Sequence, residues 1–137
     1  MKSFKWLVVL MLAGFFTYSC LDDEPTVNVK YLFAPIDSVQ IGEIKPARQV
    51  TEIRTFYTRN NECETFFDYD YTITGNERTV TMLISSLQAN DCLEITEADF
   101  HTLQFRPEQS GLYTFRFWNG NDQDGQPIFI IREIEIP

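Results

Sequence analysis

From residue 26 to the C-terminus, apolar and polar residues alternate with a period of two, and the apolar residues form no helical stripe of useful length. A period of two is typical of β-strands that bury one face and expose the other. The pattern predicts about seven strands, with turn signals every dozen or so residues. Their expected ranges are 27–33 and 36–41 (one or two opening strands), 49–58, 66–74, 78–86, 98–106, 112–118 and 127–137.

Two of these segments are expected to pair as an antiparallel hairpin. Residues 74–77 read Thr-Gly-Asn-Glu, and a Gly at the first central position is what a type II′ turn requires. The acids and threonines of the first strand then fall on the face opposite its aromatic residues. The apolar faces are expected to comprise Phe67, Tyr69, Tyr71 and Ile73 in the first strand, and Val80, Met82 and Ile84 in the second.

The later strands differ in how clearly their inward faces can be predicted. The strand over 98–106 leaves its phase open around His101, because either Phe100 or Leu103 with Phe105 could face the core. The alternation of the next strand is unambiguous. Its expected inward residues are Tyr113, Phe115 and Phe117.

The final strand, 127–137, shows a slip in its alternation. Phe129 and Ile131 fall on one face, whereas Ile134 and Ile136 fall on the other. A β-bulge at the slip would turn all four residues to one side. The sequence therefore predicts a bulge near Ile131.

Short strands with frequent turns are typical of a sandwich of two antiparallel sheets. Residues 109–115 read QSGLYTF and resemble the tyrosine corner of immunoglobulin-like domains, in which a Tyr near the start of the penultimate strand hydrogen-bonds the preceding connection. Tyr113 would take that role, and Phe115 stands where an antibody domain has its second Cys. The resemblance implies an all-β, immunoglobulin-like antiparallel β-sandwich over residues 27–137.

The first 19 residues follow a different pattern. Lys2 and Lys5 precede an unbroken apolar run over 6–16, and residues 17–19 lead into Cys20. A transmembrane helix needs about 20 apolar residues, so this run is too short to span a membrane and fits the core of a signal peptide. A buried N-terminal helix is the alternative, but the run has no polar residue to form an exposed face.

Cleavage before Cys20 resembles the processing of bacterial lipoproteins, whose first mature Cys carries a diacylglyceryl group and an acylated amine. That family favours Leu three residues before the Cys, where this chain has Thr17. Looser motifs of this kind are usual among lipoproteins of Bacteroidota. The resemblance implies lipidation of Cys20, and several acyl chains on one Cys form a durable membrane anchor.

Asp22, Asp23 and Glu24 follow Cys20 at the offset of the acidic surface-export signal of Bacteroidota lipoproteins. The alternative is a solvated tether without a signal. The chain as a whole resembles small surface lipoproteins of this group that have no assigned activity. The resemblance implies anchoring in the outer membrane with exposure at the cell surface. The predicted organisation is a signal peptide (1–19), a lipidated acidic tether (20–26) and one sandwich domain (27–137).

Composition narrows the choice of partners. The 137 residues carry a net charge of −9; without the leader and its two Lys residues, nine Lys and Arg stand against 20 Asp and Glu, a net charge of −11. Such a chain lacks the basic surface that nucleic-acid binding requires. It is also repelled by anionic membrane surfaces, so the lipid would provide the attachment.

With Cys20 lipidated, Cys63 and Cys92 remain as a pair. An even pair outside the cytoplasm most often forms a disulfide, and the predicted hairpin between them brings its ends together. A redox or metal-binding pair is the alternative, but the CxxC spacing is absent.

Two clusters are candidate binding sites. Asn121, Asp122 and Asp124 offer oxygen ligands that could hold Ca²⁺, although the spacing is not that of an EF-hand and a plain hairpin turn would use the same residue types. No other cofactor is expected. Trp118 and Arg116 share the strand face opposite the core and could stack on a sugar ring or anchor a protein; alternatively, Trp118 closes the end of the sandwich.

The leading functional hypothesis is a non-enzymatic binding or accessory module for an envelope protein or a glycan, by analogy with other sandwiches. The alternative is a metal-dependent or glycan-acting hydrolase that uses acidic loop residues. Asp68 and Asp70 form one carboxylate pair, about 7 Å apart by strand rise. Ser85 or Ser86 with His101 lacks the G-x-S-x-G turn of a serine hydrolase.

Overall fold

A computed structural model describes residues 26–137 of the chain, which form eight strands. The strands are β1 (Val29–Ala34), β2 (Ser38–Ile41), β3 (Thr51–Asn61), β4 (Glu64–Thr74), β5 (Glu77–Leu87), β6 (Glu94–Phe105), β7 (Gly111–Asn121) and β8 (Pro127–Ile136). The predicted strands are all present, and most extend further than the apolar alternation indicated.

The strands form two facing sheets. The large sheet contains β1, β4, β5, β7 and β8, and the small sheet has the order β2-β3-β6. Ile36, Ile53 and Phe117 are among the fully buried side chains between them. The hydroxyl of Tyr113 donates a hydrogen bond to the carbonyl of Gln109 (2.9 Å), as in a tyrosine corner. The predicted all-β sandwich is confirmed.

Strand β5 is bonded along both of its edges. One edge pairs with β4 over its whole length; the other pairs with β1 in its C-terminal half and with β7 in its N-terminal half. The β5–β7 ladder is parallel, which departs from the expected antiparallel sandwich. The chain reaches β7 from the small sheet rather than through a hairpin from β5, so its direction is free of the hairpin constraint.

The β4–β5 turn helps to fix β7 in place. Gly75 has φ 58, and Asn76 does not have a positive φ, which fits the predicted type II′ turn. The carbonyl of Asn76 accepts a hydrogen bond from the amide of Thr114 (3.1 Å), and its side-chain amide donates to the carbonyl of Leu112 (3.0 Å). The turn therefore holds the start of the parallel ladder.

The core is built from the inward faces that the alternation predicted. In β5 and β7 every second side chain is buried, and Phe105 of β6 packs edge-on against the rings of Tyr113 (5.1 Å) and Phe115 (4.8 Å). Burying side chains of this size contributes about 1.5–3 kcal/mol each. The buried residues in β5 and β7 are Val80, Met82, Ile84, Ser86, Tyr113, Phe115 and Phe117.

The predicted face of β4 is wrong at its N-terminal end. A bulge between Phe66 and Asp68 shifts the register against β5. Phe66 packs against the core, whereas Phe67 is exposed on the outer side. Tyr69 and Tyr71 pack against the core as predicted.

The predicted bulge in β8 is also wrong. The β7–β8 register is unbroken from Gly111 to Trp118, and its irregularity lies beyond Trp118, near the hairpin loop. Ile130, Ile134 and Ile136 are the inward residues. The position between them on the same side is taken by Arg132, which remains exposed at this edge strand. A charged residue at an inward position therefore produced the apparent slip.

Strands β4 and β6 face each other along an open side of the sandwich. Leu103 and Phe105 face inward, which settles the phase of β6, while Phe100 is exposed on the outer side. His101 stacks on Phe66 with ring centroids 3.5 Å apart. This stack covers part of the gap between the two strands.

A polar contact joins the sheets beneath that stack. The Tyr69 hydroxyl lies 2.6 Å from Thr55 Oγ1, and Thr55 donates its single proton to the carbonyl of His101 (3.1 Å). Tyr69 therefore donates to Thr55. Burial raises the pKa of Tyr69 to about 12, so the phenol remains protonated at any physiological pH.

The predicted disulfide is present, and it joins two connections that cross between the sheets. Cys63 lies between β3 and β4, Cys92 lies between β5 and β6, and their Cα atoms are 5.6 Å apart. The amide of Glu62 also donates to the carbonyl of Leu93 (3.0 Å). The bond therefore ties the two sheets together at one end of the sandwich, which we call the disulfide end.

Replacing both Cys63 and Cys92 with Ala should lower the free energy of unfolding by about 3–4 kcal/mol, because the unfolded chain is no longer constrained over their separation of 29 residues. Urea unfolding followed by circular dichroism measures this loss. Cys20→Ala serves as the control and should leave the free energy unchanged. A loss below about 1 kcal/mol would contradict the expected constraint.

The stability of the domain should fall as the pH drops through the ordinary His pKa of 6.5. Partial burial lowers the pKa of His101, and the carboxylate of Asp99 opposes part of that shift. The unfolded chain therefore binds the proton more readily, and protonation favours unfolding. Melting temperatures at pH 7.5 and 5.5 should differ more for the wild type than for His101→Phe, which keeps a ring on Phe66. Equal differences would show that His101 does not contribute.

Candidate functional site

Trp118 and Arg116 lie on the outer face of the large sheet, as the alternation of β7 predicted. Their neighbours Phe115 and Phe117 point the other way and are fully buried. Trp118 is half-buried. It is covered by neighbouring side chains on the outer face of the sheet and not by the core. Its indole N–H donates to Asn121 Oδ1 (3.2 Å), so the ring is held in one orientation.

Trp118 belongs to a row of aromatic side chains that crosses the sheet. Its ring meets that of Phe33 edge-on, with centroids 6.4 Å apart, and Tyr31 meets Phe67 at 4.7 Å. Phe129 stands opposite Trp118 in the β7–β8 ladder. We call this set, Phe67, Tyr31, Phe33, Trp118 and Phe129, the outer aromatic row.

Three features of β1, β5 and β4 place Tyr31, Phe33 and Phe67 in the row. Tyr31 and Phe33 are alternate residues of β1, so they share one face. The residue paired with Tyr31 in β5 is Ser85, whose small side chain leaves room for the Tyr31 and Phe67 rings to meet above it. The bulge in β4 turns Phe67 outward to complete that contact.

Arg116 is a fixed part of this surface. Its guanidinium carbon lies 4.4 Å from the centre of the Phe129 ring, and Nη1 lies 3.6 Å from a carboxylate oxygen of Glu77. Its Nε is buried and has no hydrogen-bond partner. The cation–π contact and the ion pair hold the side chain under Phe129, which makes Arg116 a support for the row rather than a free donor to a ligand.

Aliphatic side chains extend the row into a larger apolar surface. Val29 and Ile131 lie on the same outer face, next to Tyr31 and Phe129 in their strands, and are exposed, as are Tyr31, Phe33 and Phe67. Contiguous exposed apolar surface of this kind marks sites of interaction with other molecules. The outer face of the large sheet is therefore the candidate functional site.

The candidate calcium ligands form a hydrogen-bonded turn between β7 and β8. Asp122 Oδ1 accepts the amides of Asp124 (2.8 Å) and Gln126 (2.9 Å), and the Asp122 carbonyl accepts the amide of Gly125 (3.1 Å). Asn121 accepts from Trp118. Within residues 26–137, no group of three or more His, Cys, Asp or Glu side chains is placed to hold a metal ion.

The residues weighed for hydrolysis are not brought to one site. Asp68 and Asp70 are exposed on the outer side of β4. Ser85 lies on the outer face of β5, whereas Ser86 is buried on the inner face. The close ring contacts of His101 are with Phe66 and Tyr69.

The sequence indicated Trp118 and Arg116 but missed Tyr31, Phe33, Phe67 and Phe129. The available signal was strand β1, which reads VKYLFA and carries apolar residues on both faces. A strand with two apolar faces is typical of one that is covered on both sides. That signal identifies β1 as unusual, but only the pairing of β1 with β5 and its approach to β7 bring its rings to Phe67 and Trp118.

The signal peptide, Cys20 and the acidic residues Asp22, Asp23 and Glu24 lie outside the described residues. Residues 26–137 contain no helix long and apolar enough to cross a membrane. Comparison of the chain with protein-family models, with curated proteins and with solved structures gives no match.

Proposed function

We propose that this chain is a lipid-anchored protein of the outer membrane that displays its sandwich at the cell surface and binds a protein partner of the envelope, without catalysis. The observation that carries the binding part of this proposal is the outer aromatic row on an exposed sheet face, whereas the anchoring rests on the resemblance of residues 1–24 to lipoprotein leaders. Tyr, Trp and Phe are enriched in protein interfaces, and buried aromatic anchors are among the few residues that provide most of the binding energy.

The contacts of the row favour a protein over a glycan. A sugar ring stacks on an open, flat aromatic face with free hydrogen-bond donors beside it. Here the Phe33 and Trp118 rings meet at 72°, the Tyr31 and Phe67 rings meet at 60°, and the Arg116 guanidinium is occupied by Glu77 and Phe129. An uneven surface of tilted rings with aliphatic neighbours fits the apolar side chains of another protein better than it fits a flat sugar ring.

The entry point of the chain is compatible with an anchor on Cys20. The carbonyl of Asn28 accepts a hydrogen bond from the amide of Gln88 (2.8 Å), so the chain enters the domain at the disulfide end. Eight residues connect Cys20 to Val29 and can span about 30 Å when extended. A lipid at Cys20 would hold the disulfide end of the domain within that distance of the membrane.

Replacing Cys20 with Ala should release the protein from the membrane fraction, because no acyl chains would hold it. Fractionation of cells followed by immunoblotting measures the distribution. The Cys63→Ala/Cys92→Ala double variant is the control and should remain with the membranes. Continued membrane association of Cys20→Ala would overturn the anchoring proposal.

A photoreactive phenylalanine at position 33 should crosslink one envelope protein in intact cells, whereas the same group at position 100 should not. The two sites form a matched pair, since Phe33 is 57% exposed on the large sheet and Phe100 is 51% exposed on the small sheet. With the captured partner purified, Phe33→Ala should weaken binding by about 30-fold or more, as for a central aromatic residue.

In that binding assay Phe100→Ala should leave the affinity unchanged. Equal crosslinking from positions 33 and 100, or equal loss of affinity in both variants, would contradict docking through the outer aromatic row. Capture of polysaccharide instead of protein at position 33 would replace the protein partner with a glycan.

A further inference from the structure

A cleft of about 490 Å³ lies between β4 and β6 at the end of the sandwich opposite the disulfide. Clefts of this size hold small molecules. It is open because β4 and β6 are edge strands of different sheets and do not pair. Nearer the disulfide end, the Phe66–His101 stack covers the same gap.

One wall of the cleft is apolar. Ile73, on the inner side of β4, is 61% exposed because no side chain of the small sheet covers it at this end. Leu103, Phe105 and Tyr113 line the cleft beside it. An apolar group could therefore be taken out of water here without displacing any protein contact.

Two arginines line the same cleft and are positioned by backbone carbonyls. Arg78 Nη1 donates to the carbonyls of Gly75 (2.7 Å) and Glu77 (2.9 Å), and its guanidinium lies 5.2 Å from the centre of the Tyr113 ring. Arg106 Nε donates to the carbonyl of Arg48 (2.9 Å). These hydrogen bonds fix the orientation of both side chains but use only some of their N–H groups.

Neither arginine forms an ion pair within residues 26–137, whose three close ion pairs all involve other cations. One carboxylate, that of Glu108, also lines the cleft. Two guanidinium groups against one carboxylate make the cleft a local positive site beside an apolar wall.

We propose that this cleft binds a small molecule with a carboxylate attached to an apolar body. The carboxylate accepts hydrogen bonds from the free N–H groups of Arg106 and Arg78, whose planar forks match its two oxygens. The apolar body lies against Ile73, Leu103 and Tyr113. The site is separate from the outer aromatic row, so it stands whether or not that row binds a protein.

The cleft faces away from the point where the chain enters the domain. Strand β5 runs from the cleft end to the disulfide end over 11 residues, which is about 35 Å at the rise of a β-strand. A ligand would therefore reach the cleft from the medium rather than from the membrane that the tether approaches.

The test is a titration of the non-lipidated Cys20→Ala chain with 4-phenylbutyrate, monitored through the methyl resonances of Ile73 and Leu103. All eight strands lie beyond residue 28, so this variant retains the domain. The neutral amide of the same acid should bind about tenfold more weakly, since it lacks the charge-assisted hydrogen bonds. Phenyl phosphate distinguishes a preference for carboxylate from binding of any oxyanion.

Matched substitutions locate the site. Ile73→Glu should abolish binding of the acid by placing a negative charge in the cleft, whereas Ile131→Glu, at a residue 55% exposed on the outer face, should not. Arg106→Gln should weaken binding about tenfold, and Arg132→Gln should not. Equal affinity for acid and amide, tighter binding of phenyl phosphate, or undisturbed Ile73 and Leu103 resonances would each overturn the proposal.

Discussion

The double pairing of strand β5 determines the rest of the architecture. Because β4 occupies one edge throughout, β1 and β7 must share the other edge end to end. The chain leaves the large sheet after Ala34, and the amide of Ile36 then donates to the carbonyl of Trp118 (2.9 Å). That contact joins the end of β1 to β7 and brings Phe33 against Trp118. The outer aromatic row is thus a consequence of how β5 is shared.

The alternation of apolar and polar residues predicted the features that depend on one strand alone. The inward residues of β5 and β7, the tyrosine corner and the disulfide follow from alternation, a short motif and the number of Cys residues. Arg132 shows the limit, because a charged residue at the inward position of an edge strand stays exposed there and mimics a bulge in the pattern. Phe67 shows the opposite case, since a real bulge in β4 lies inside an apparently regular alternation.

The candidate site was only partly predictable for a related reason. That Trp118 and Arg116 face outward is a property of β7 alone. The contacts of Trp118 with Phe33 and of Arg116 with Glu77 join residues that are distant along the chain. They depend on the parallel pairing of β5 with β7, which no turn motif in the sequence predicts. Non-local pairing of this kind is set by the packing of the whole domain, so the sequence indicated one ring of the row and not its neighbours.

The start of β5 connects the two proposed surfaces. Glu77 and Arg78 are consecutive, so their side chains leave the sheet on opposite faces. Glu77 pairs with Arg116 beneath Phe129, at one end of the outer aromatic row, while Arg78 lies over Tyr113 in the cleft. The cleft and the row therefore use opposite sides of the same backbone. A ligand in the cleft leaves the docking face open, and a protein on that face leaves the cleft accessible from its open edge.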